Sequence, residues 1–126
     1  MKRDIENRDD LLLLMQEFYK KLLADDSINY LFTDVAKINL DHHFPVLVDF
    51  WDSILFQSGT YQKNAMQPHL ALHQKSPFQK QHFETWLRYF KASVDELFLG
   101  DNAFIIKERA TSNATVMQIK SIQASR

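Results

Sequence analysis

The chain of 126 residues contains no cysteine, only two glycines and only three prolines. Without cysteine it cannot form a disulfide, a thiolate nucleophile or a cysteine-ligated zinc or iron–sulfur site. Two isolated glycines cannot build a glycine-rich phosphate-binding loop. The sequence also contains no GxSxG or HExxH motif, so the usual signatures of a serine hydrolase and of a zinc protease are absent.

Charge and hydropathy exclude two further classes of partner. The 15 basic and 16 acidic residues give a net charge of -1, and no clustered basic face of the kind that binds nucleic acid is evident. The longest apolar run, Leu11 to Met15, is too short to span a bilayer. The N-terminus is charged and lacks the apolar core of a signal peptide. We therefore expect a soluble cytoplasmic protein that forms one domain over residues 1–126, with no nucleic-acid or membrane partner.

Helical periodicity dominates what remains, because strict alternation of apolar and polar residues is nearly absent. The first helix is predicted to begin after Asn7, a good N-cap, and to end near Ala24. The second is predicted to begin near Asn39 and to end at Ser58. Pro45 is unfavourable inside a helix, so an alternative is that the regular helix begins only at this proline.

Two more helices are predicted in the second half of the chain. Ser76 is predicted to cap the third helix, with Gln79 completing a capping box. The fourth is predicted to be capped by Asp101, directly after Gly100. Each has an apolar stripe at helical spacing: the third has Phe83, Trp86, Leu87, Phe90, Val94 and Leu97, and the fourth has Ile106, Ala110, Ala114 and Met117. The predicted fold is all-α.

The chain has five histidines, which can bind a metal, and ten phenylalanines, which can line an apolar site. His69 and His73 are four residues apart and could form a metal pair, but a zinc site needs a third ligand and the surrounding segment contains no Asp or Glu. A histidine in a loosely patterned segment between aromatic-rich helices suits a flat apolar cofactor such as haem better than a small ion. A plain helical core with incidental histidines fits the same pattern.

The order of these residues resembles the truncated haemoglobins, and most of all their bacterial group III. The resemblance is collinear from about Arg8 to Ile122. It rests on a succession of short motifs: Phe18-Tyr19, His43 before Phe50-Trp51, Gln67-Pro68-His69, Pro77-Phe78, His82-Phe83 and Trp86-Leu87. It implies an abbreviated globin, a two-over-two helical sandwich in which two helix pairs enclose a b-type haem.

The resemblance also implies roles for individual residues. His69 matches the proximal ligand of the haem iron. Tyr19 and Trp86 match the two hydrogen-bond donors of the distal side, where the gas ligand binds. His43 matches the distal gate histidine and Leu47 an apolar wall residue, although the adjacent His42 competes with His43 for this position.

The resemblance implies further haem contacts, but the motifs that suggest them are less specific. Candidate ring contacts are Phe32, Phe50, Phe78, Phe83 and Phe90, for each of which ordinary core packing is the alternative. By position alone, His73 and Lys75 are candidates for the haem propionates, with a solvated surface role as the alternative.

The function implied is binding of O2, and of other diatomic ligands such as NO and CO, at haem iron. Nitric oxide dioxygenase or peroxidase-like chemistry would require a reductase that the sequence does not identify. The alternatives are a non-catalytic oxygen carrier or sensor and, from a different class, a haem-free helical interaction module. Resemblance at the level of the fold does not decide among them.

Overall fold

A computed structural model describes residues 2–35, 39–56 and 79–124 of the chain. These residues form four α-helices, α1 (Arg8–Leu23), α2 (Leu40–Phe56), α3 (Lys80–Leu97) and α4 (Asp101–Ala124), and a short π-helical turn, Leu31–Val35. The described ranges contain no strand, which agrees with the predicted all-α fold. The sequence predictions for residues 57–78 lie outside the described residues; they concern Ser58, His69, His73, Lys75, Ser76, Pro77 and Phe78.

Helix α1 begins and ends where the sequence predicts. The Asn7 side chain caps it by accepting a hydrogen bond of 3.0 Å from the backbone N–H of Asp10. Acidic residues occupy its first turn, and Lys20 and Lys21 occupy its last turn. Both charge patterns stabilise the helix, because they interact favourably with its dipole. The helix ends at Leu23, and Ala24 is its C-cap.

Helix α2 is continuous through Pro45, so the alternative of a regular helix that begins only at this proline is wrong. The helix forms earlier because Asn39 supplies acceptors for its first turn. The Asn39 side chain accepts from the N–H of Asp41 at 3.0 Å, and its carbonyl accepts from His42 and His43 at 3.1 and 2.9 Å. Both histidines therefore belong to one helix, and consecutive helical residues point about 100° apart.

Helix α3 begins later than predicted. Gln79 has an extended backbone, with φ -102° and ψ 161°, and is itself the N-cap, so the prediction that Gln79 lies in the first turn of the helix is wrong. The partner that the sequence pattern missed is His82. Its Nδ1 atom accepts a 3.0 Å hydrogen bond from the backbone N–H of Gln79, the role that a Glu or Gln side chain fills in the usual capping box.

Helix α4 is capped from the far end of the chain. Asp101 is its first helical residue, so the prediction of Asp101 as the cap is wrong. The Asp4 carboxylate accepts instead from the backbone N–H groups of Asn102 and Ala103, both at 2.9 Å. A Cβ atom at Gly100, where φ is +150°, would lie 2.5 Å from the Asp4 Cγ, so this close approach requires glycine.

The helices pack around α1, which contacts both α2 and α3, while α4 packs on α3 and also contacts α2. The core lies between them and is built mainly from the predicted stripes, including the inner face of α4, where Ile106, Ala110 and Ala114 are buried. Phe18 of α1 is central, since its ring meets Trp86 and Phe90 of α3 edge to face. None of the described helices has the length and hydropathy needed to cross a bilayer.

The Asp4 cap predicts a pH-dependent contribution to stability. Burial opposes the charge of the Asp4 carboxylate, but hydrogen bonds from several backbone N–H groups outweigh it and lower the pKa of Asp4 below its ordinary value. Because the unfolded chain then takes up a proton more readily than the folded one, the stabilisation is present above the ordinary pKa and is lost as the pH falls. Asp4→Ala should lower the free energy of unfolding by about 1–2 kcal/mol at about pH 7, and by much less at about pH 3.

Urea unfolding at the two pH values tests this expectation. Glu108→Ala is the matched control, since Glu108 is an exposed carboxylate on the outer face of the same helix and should have little effect at either pH. An equal loss of stability at both pH values for Asp4→Ala would show that the carboxylate charge does not cap α4.

Candidate functional site

The site begins with a buried pair of polar side chains. Tyr19 of α1 is 5% exposed, and its Oη atom lies 2.7 Å from Nε2 of His43 in α2. The two rings also meet edge to face, with centroids 5.4 Å apart. His43 is half-buried, whereas His42 is exposed; the structure thus directs His43, and not its neighbour, toward Tyr19.

Aromatic rings surround the Tyr19 phenol. Phe32, in the π-helical turn, and Phe44, next to His43 in α2, each meet the Tyr19 ring edge to face at 5.6 Å. Burial raises the pKa of Tyr19 above its ordinary value, because an apolar environment disfavours the phenolate. The hydroxyl is therefore a neutral hydrogen-bond donor across the physiological pH range.

Trp86 lies on the other side of Phe18. Its indole meets the Phe18 ring edge to face at 5.4 Å and stacks on Phe90 at 5.5 Å with an interplanar angle of 13°. Phe18 also meets Tyr19, its chain neighbour, at 5.4 Å. Trp86 and Tyr19 thus flank one ring. Trp86 is half-buried, and its indole N–H is a hydrogen-bond donor.

The remaining predicted residues fall into two groups. Leu47 and Phe50 of α2, Phe32, and Phe83 of α3 are half-buried apolar side chains and keep surface that a cofactor could cover. Phe90 is fully buried and is enclosed by core rings, among them Trp51 at 5.3 Å. Its ring also stacks on the Trp86 indole. The other predicted contacts lie outside the described residues: His69, His73, Lys75 and Phe78.

The described ranges offer no support for a zinc site. Within residues 2–35, 39–56 and 79–124, no three side chains of His, Asp or Glu come together as a group that could hold a metal ion. What these residues form is a hydroxyl–imidazole pair and an indole donor against aromatic and aliphatic walls. Such a surface suits a large apolar group with a small polar ligand.

A second Tyr–His pair in the structure was not predicted from the sequence. Tyr30, which precedes the π-helical turn, places its Oη atom 3.0 Å from Nε2 of His82, a buried residue in the first turn of α3. The only local signal was that His82 lies four residues before Trp86 and hence on the same helix face. Its partner lies 52 residues away in the chain, which periodicity could not reveal.

The described helices have the arrangement of a truncated globin. Compared with solved structures, the chain matches the crystal structure of a group III truncated hemoglobin from Campylobacter jejuni with a TM-score of 0.81 and 25% identity, covering 95% of this chain and 94% of that one. The sequence is 26% identical over 121 residues to a group 3 truncated hemoglobin, Ctb, of Campylobacter jejuni subsp. jejuni, covering 94% of this chain and 93% of that protein. No family model matches the chain. Both similarities confirm the predicted resemblance to the group III truncated haemoglobins and the truncated-globin fold.

The Tyr19–His43 contact predicts energetic coupling between α1 and α2. Tyr19→Phe removes only the hydroxyl and should lower the free energy of unfolding by about 1 kcal/mol. In a His43→Phe background the same change should cost much less, because the partner is already gone. Urea unfolding of the two single variants and the double variant measures this coupling.

Tyr89→Phe provides a control for the coupling measurement, since the Tyr89 hydroxyl donates to Asp25 and not to His43. Its effect should be the same with and without His43. A cost for Tyr19→Phe that is unchanged in the His43→Phe background would mean that the 2.7 Å contact contributes nothing to stability.

Proposed function

We propose that this protein binds b-type haem and holds a diatomic ligand, O2 first of all, beside Tyr19, His43 and Trp86. The observation that carries the proposal is the buried Tyr19 hydroxyl, 2.7 Å from His43 Nε2, in a chain whose fold is that of a truncated globin. An apolar pocket with a few convergent polar groups is the usual form of a cofactor site. The hemoglobins to which the chain is similar support the same choice of cofactor and ligand.

The described residues fit haem on the ligand side. Half-buried apolar side chains on three elements are the candidates for ring contacts, and among them Phe32 meets the Tyr19 ring: Phe32, Leu47, Phe50 and Phe83. When bound, haem would supply an iron atom that a protein imidazole would hold and that could bind a diatomic gas. By the family resemblance we assign the imidazole to His69. We assign a ring contact to Phe78 and the propionates to His73 and Lys75.

The Tyr19–His43 pair can exist in two hydrogen-bonded forms. A phenol has one hydrogen to donate, and a neutral imidazole carries its hydrogen on one of its two nitrogens. If His43 carries it on Nε2, the imidazole donates to Tyr19 Oη and the phenol hydrogen can point to a ligand. If His43 carries it on Nδ1, Tyr19 donates to His43 instead. The tautomer of His43 therefore decides whether Tyr19 is available to hold the ligand.

Trp86 adds a second donor, whose ring packs against Phe18 and Phe90. Two neutral donors in a site of low polarity bind a polarised ligand more strongly than either would in water. We infer slow ligand release, which favours chemistry on the retained ligand over rapid delivery. The finer hypotheses are oxidation of NO to nitrate, which consumes O2 and one electron from an external reductase, and reduction of peroxide. A carrier or sensor would bind O2, NO or CO without turnover.

The cofactor and its proximal ligand can be tested together. Protein purified from cells supplied with a haem precursor should show a Soret band that shifts on reduction under carbon monoxide. His69→Ala should lose most of the bound haem, whereas His42→Ala, at an exposed position on α2, should retain it. A colourless protein that takes up no added haemin would instead favour the haem-free interaction module.

The role of Tyr19 gives a kinetic prediction. Tyr19→Phe should speed O2 release about tenfold, because the loss of one hydrogen bond to the ligand removes on the order of 1.4 kcal/mol. Stopped-flow displacement of O2 by carbon monoxide measures this rate. Tyr89→Phe removes a hydroxyl that bonds Asp25 and should release O2 at the unaltered rate. Equal rates of O2 release in all three proteins would show that the Tyr19 hydroxyl does not hold the ligand.

A further inference from the structure

We propose that His82 is a positioning residue which, in its neutral form, locks the start of α3 to the segment before the π-helical turn and so holds Trp86 in place. The lock on α3 is a property of the chain and needs no cofactor. Its consequence for ligand release rests on the proposed function. The two parts can therefore be tested separately.

Both nitrogens of the His82 ring are engaged. Nδ1 accepts the backbone N–H of Gln79 at 3.0 Å. An amide N–H can only donate, so Nδ1 must be unprotonated and the hydrogen of the neutral ring lies on Nε2. That hydrogen points to Tyr30 Oη, 3.0 Å away. The backbone thus selects the tautomer of His82, and the side chain is 6% exposed.

The elements joined by His82 are those that carry the candidate site. Tyr30 directly precedes the turn that carries Phe32, whose ring meets Tyr19. Trp86 lies one helical turn after His82 on the same face of α3. Gln79 is the N-cap of α3 and directly follows residues 57–78 in the chain. One imidazole therefore links an aromatic wall, the indole donor and the start of the helix.

Protonation would break this arrangement. A hydrogen on Nδ1 would face the Gln79 N–H, so an acceptor would be replaced by a second donor and the cap would be lost. Burial lowers the pKa of His82, only partly opposed by a hydrogen bond with the backbone of Ser27. The folded chain therefore takes up this proton less readily than the unfolded chain. The stabilisation is complete above the ordinary histidine pKa and is lost as the pH falls below it.

The groups around His82 offer no compensating charge. From the preceding segment it is faced by the neutral Tyr30 hydroxyl and by the Ser27 backbone. In that segment the Asp25 carboxylate accepts from Ser27 and Tyr89. On α3 itself, Glu84 pairs with Lys80 at the surface. Among the described residues no carboxylate contacts His82, so its imidazolium form would be buried without an ionic partner.

Two substitutions separate the cap from the titration. In His82→Asn the side-chain oxygen can occupy the place of Nδ1 and accept from Gln79, but it cannot take up a proton in this pH range. In His82→Ala the acceptor is gone. His42→Asn is the matched control, because it removes an exposed histidine of α2 and leaves α3 untouched.

The first arm of the test uses the full chain as purified, in reduced buffer saturated with carbon monoxide, and follows it by NMR. In the unsubstituted protein, the exchange protection of the Gln79 amide should fall about fivefold between about pH 7.5 and pH 5. The indole resonance of Trp86 should titrate with it, while that of Trp51 should not. His82→Asn should abolish both pH effects but keep the protection, and His82→Ala should lack the protection throughout. A Gln79 amide equally protected at both pH values, or a Trp86 resonance that titrates in His82→Asn, would overturn the proposal whether or not the protein binds haem.

The second arm measures carbon monoxide release from the haem-loaded protein over the same pH range. Release should accelerate about threefold or more as the pH falls in the unsubstituted protein and in His42→Asn, and should stay constant in His82→Asn. A flat profile in all three, combined with the expected NMR changes, would show that His82 caps α3 without positioning the donor, which overturns the proposal. A protein that binds no haem would contradict the proposed function, and the first arm would still decide the role of His82.

Discussion

The packing of Phe18 and Tyr19, two consecutive residues of α1, is the constraint on which the rest of the structure depends. Because neighbouring side chains on a helix point about 100° apart, Phe18 packs edge to face against both Trp86 and Phe90 of α3, while Tyr19 points toward α2 and bonds His43. One helix thereby places both candidate donors relative to each other.

Two polar contacts near the candidate site share one chemical pattern. Tyr19 with His43, and Tyr30 with His82, are both hydroxyl–imidazole pairs. Each satisfies its members without burying a net charge, which avoids the desolvation cost that a buried ion pair would carry. Such pairs remain responsive, because the donor and acceptor roles depend on where the imidazole hydrogen lies. At His82 the backbone N–H of Gln79 fixes that position, whereas at His43 the Tyr19 hydroxyl can be either donor or acceptor.

The sequence predicted the helices better than their caps, and the reason is visible in particular residues. Asn7 and Asn39 cap or begin their own helices by local contacts, so their roles were predictable from the neighbouring sequence. Asp4 caps α4 from 98 residues away, where the local pattern favoured Asp101. At α3 the N-cap is Gln79, and the imidazole of His82 accepts from its backbone N–H. A cap supplied through tertiary packing, or by an unusual side chain, leaves no periodic signal.

By itself the sequence determined the all-α class, the apolar stripes and, through the family resemblance, the candidates Tyr19, His43 and Trp86. These follow from the order and spacing of residues along the chain, which a helix converts directly into faces. Only the tertiary structure decided that His43 and not His42 meets Tyr19, that Phe90 lies in the core, and that Tyr30 meets His82. These outcomes depend on how the helices rotate and pack against one another. That geometry is fixed jointly by many contacts between distant segments and is not encoded in any one of them.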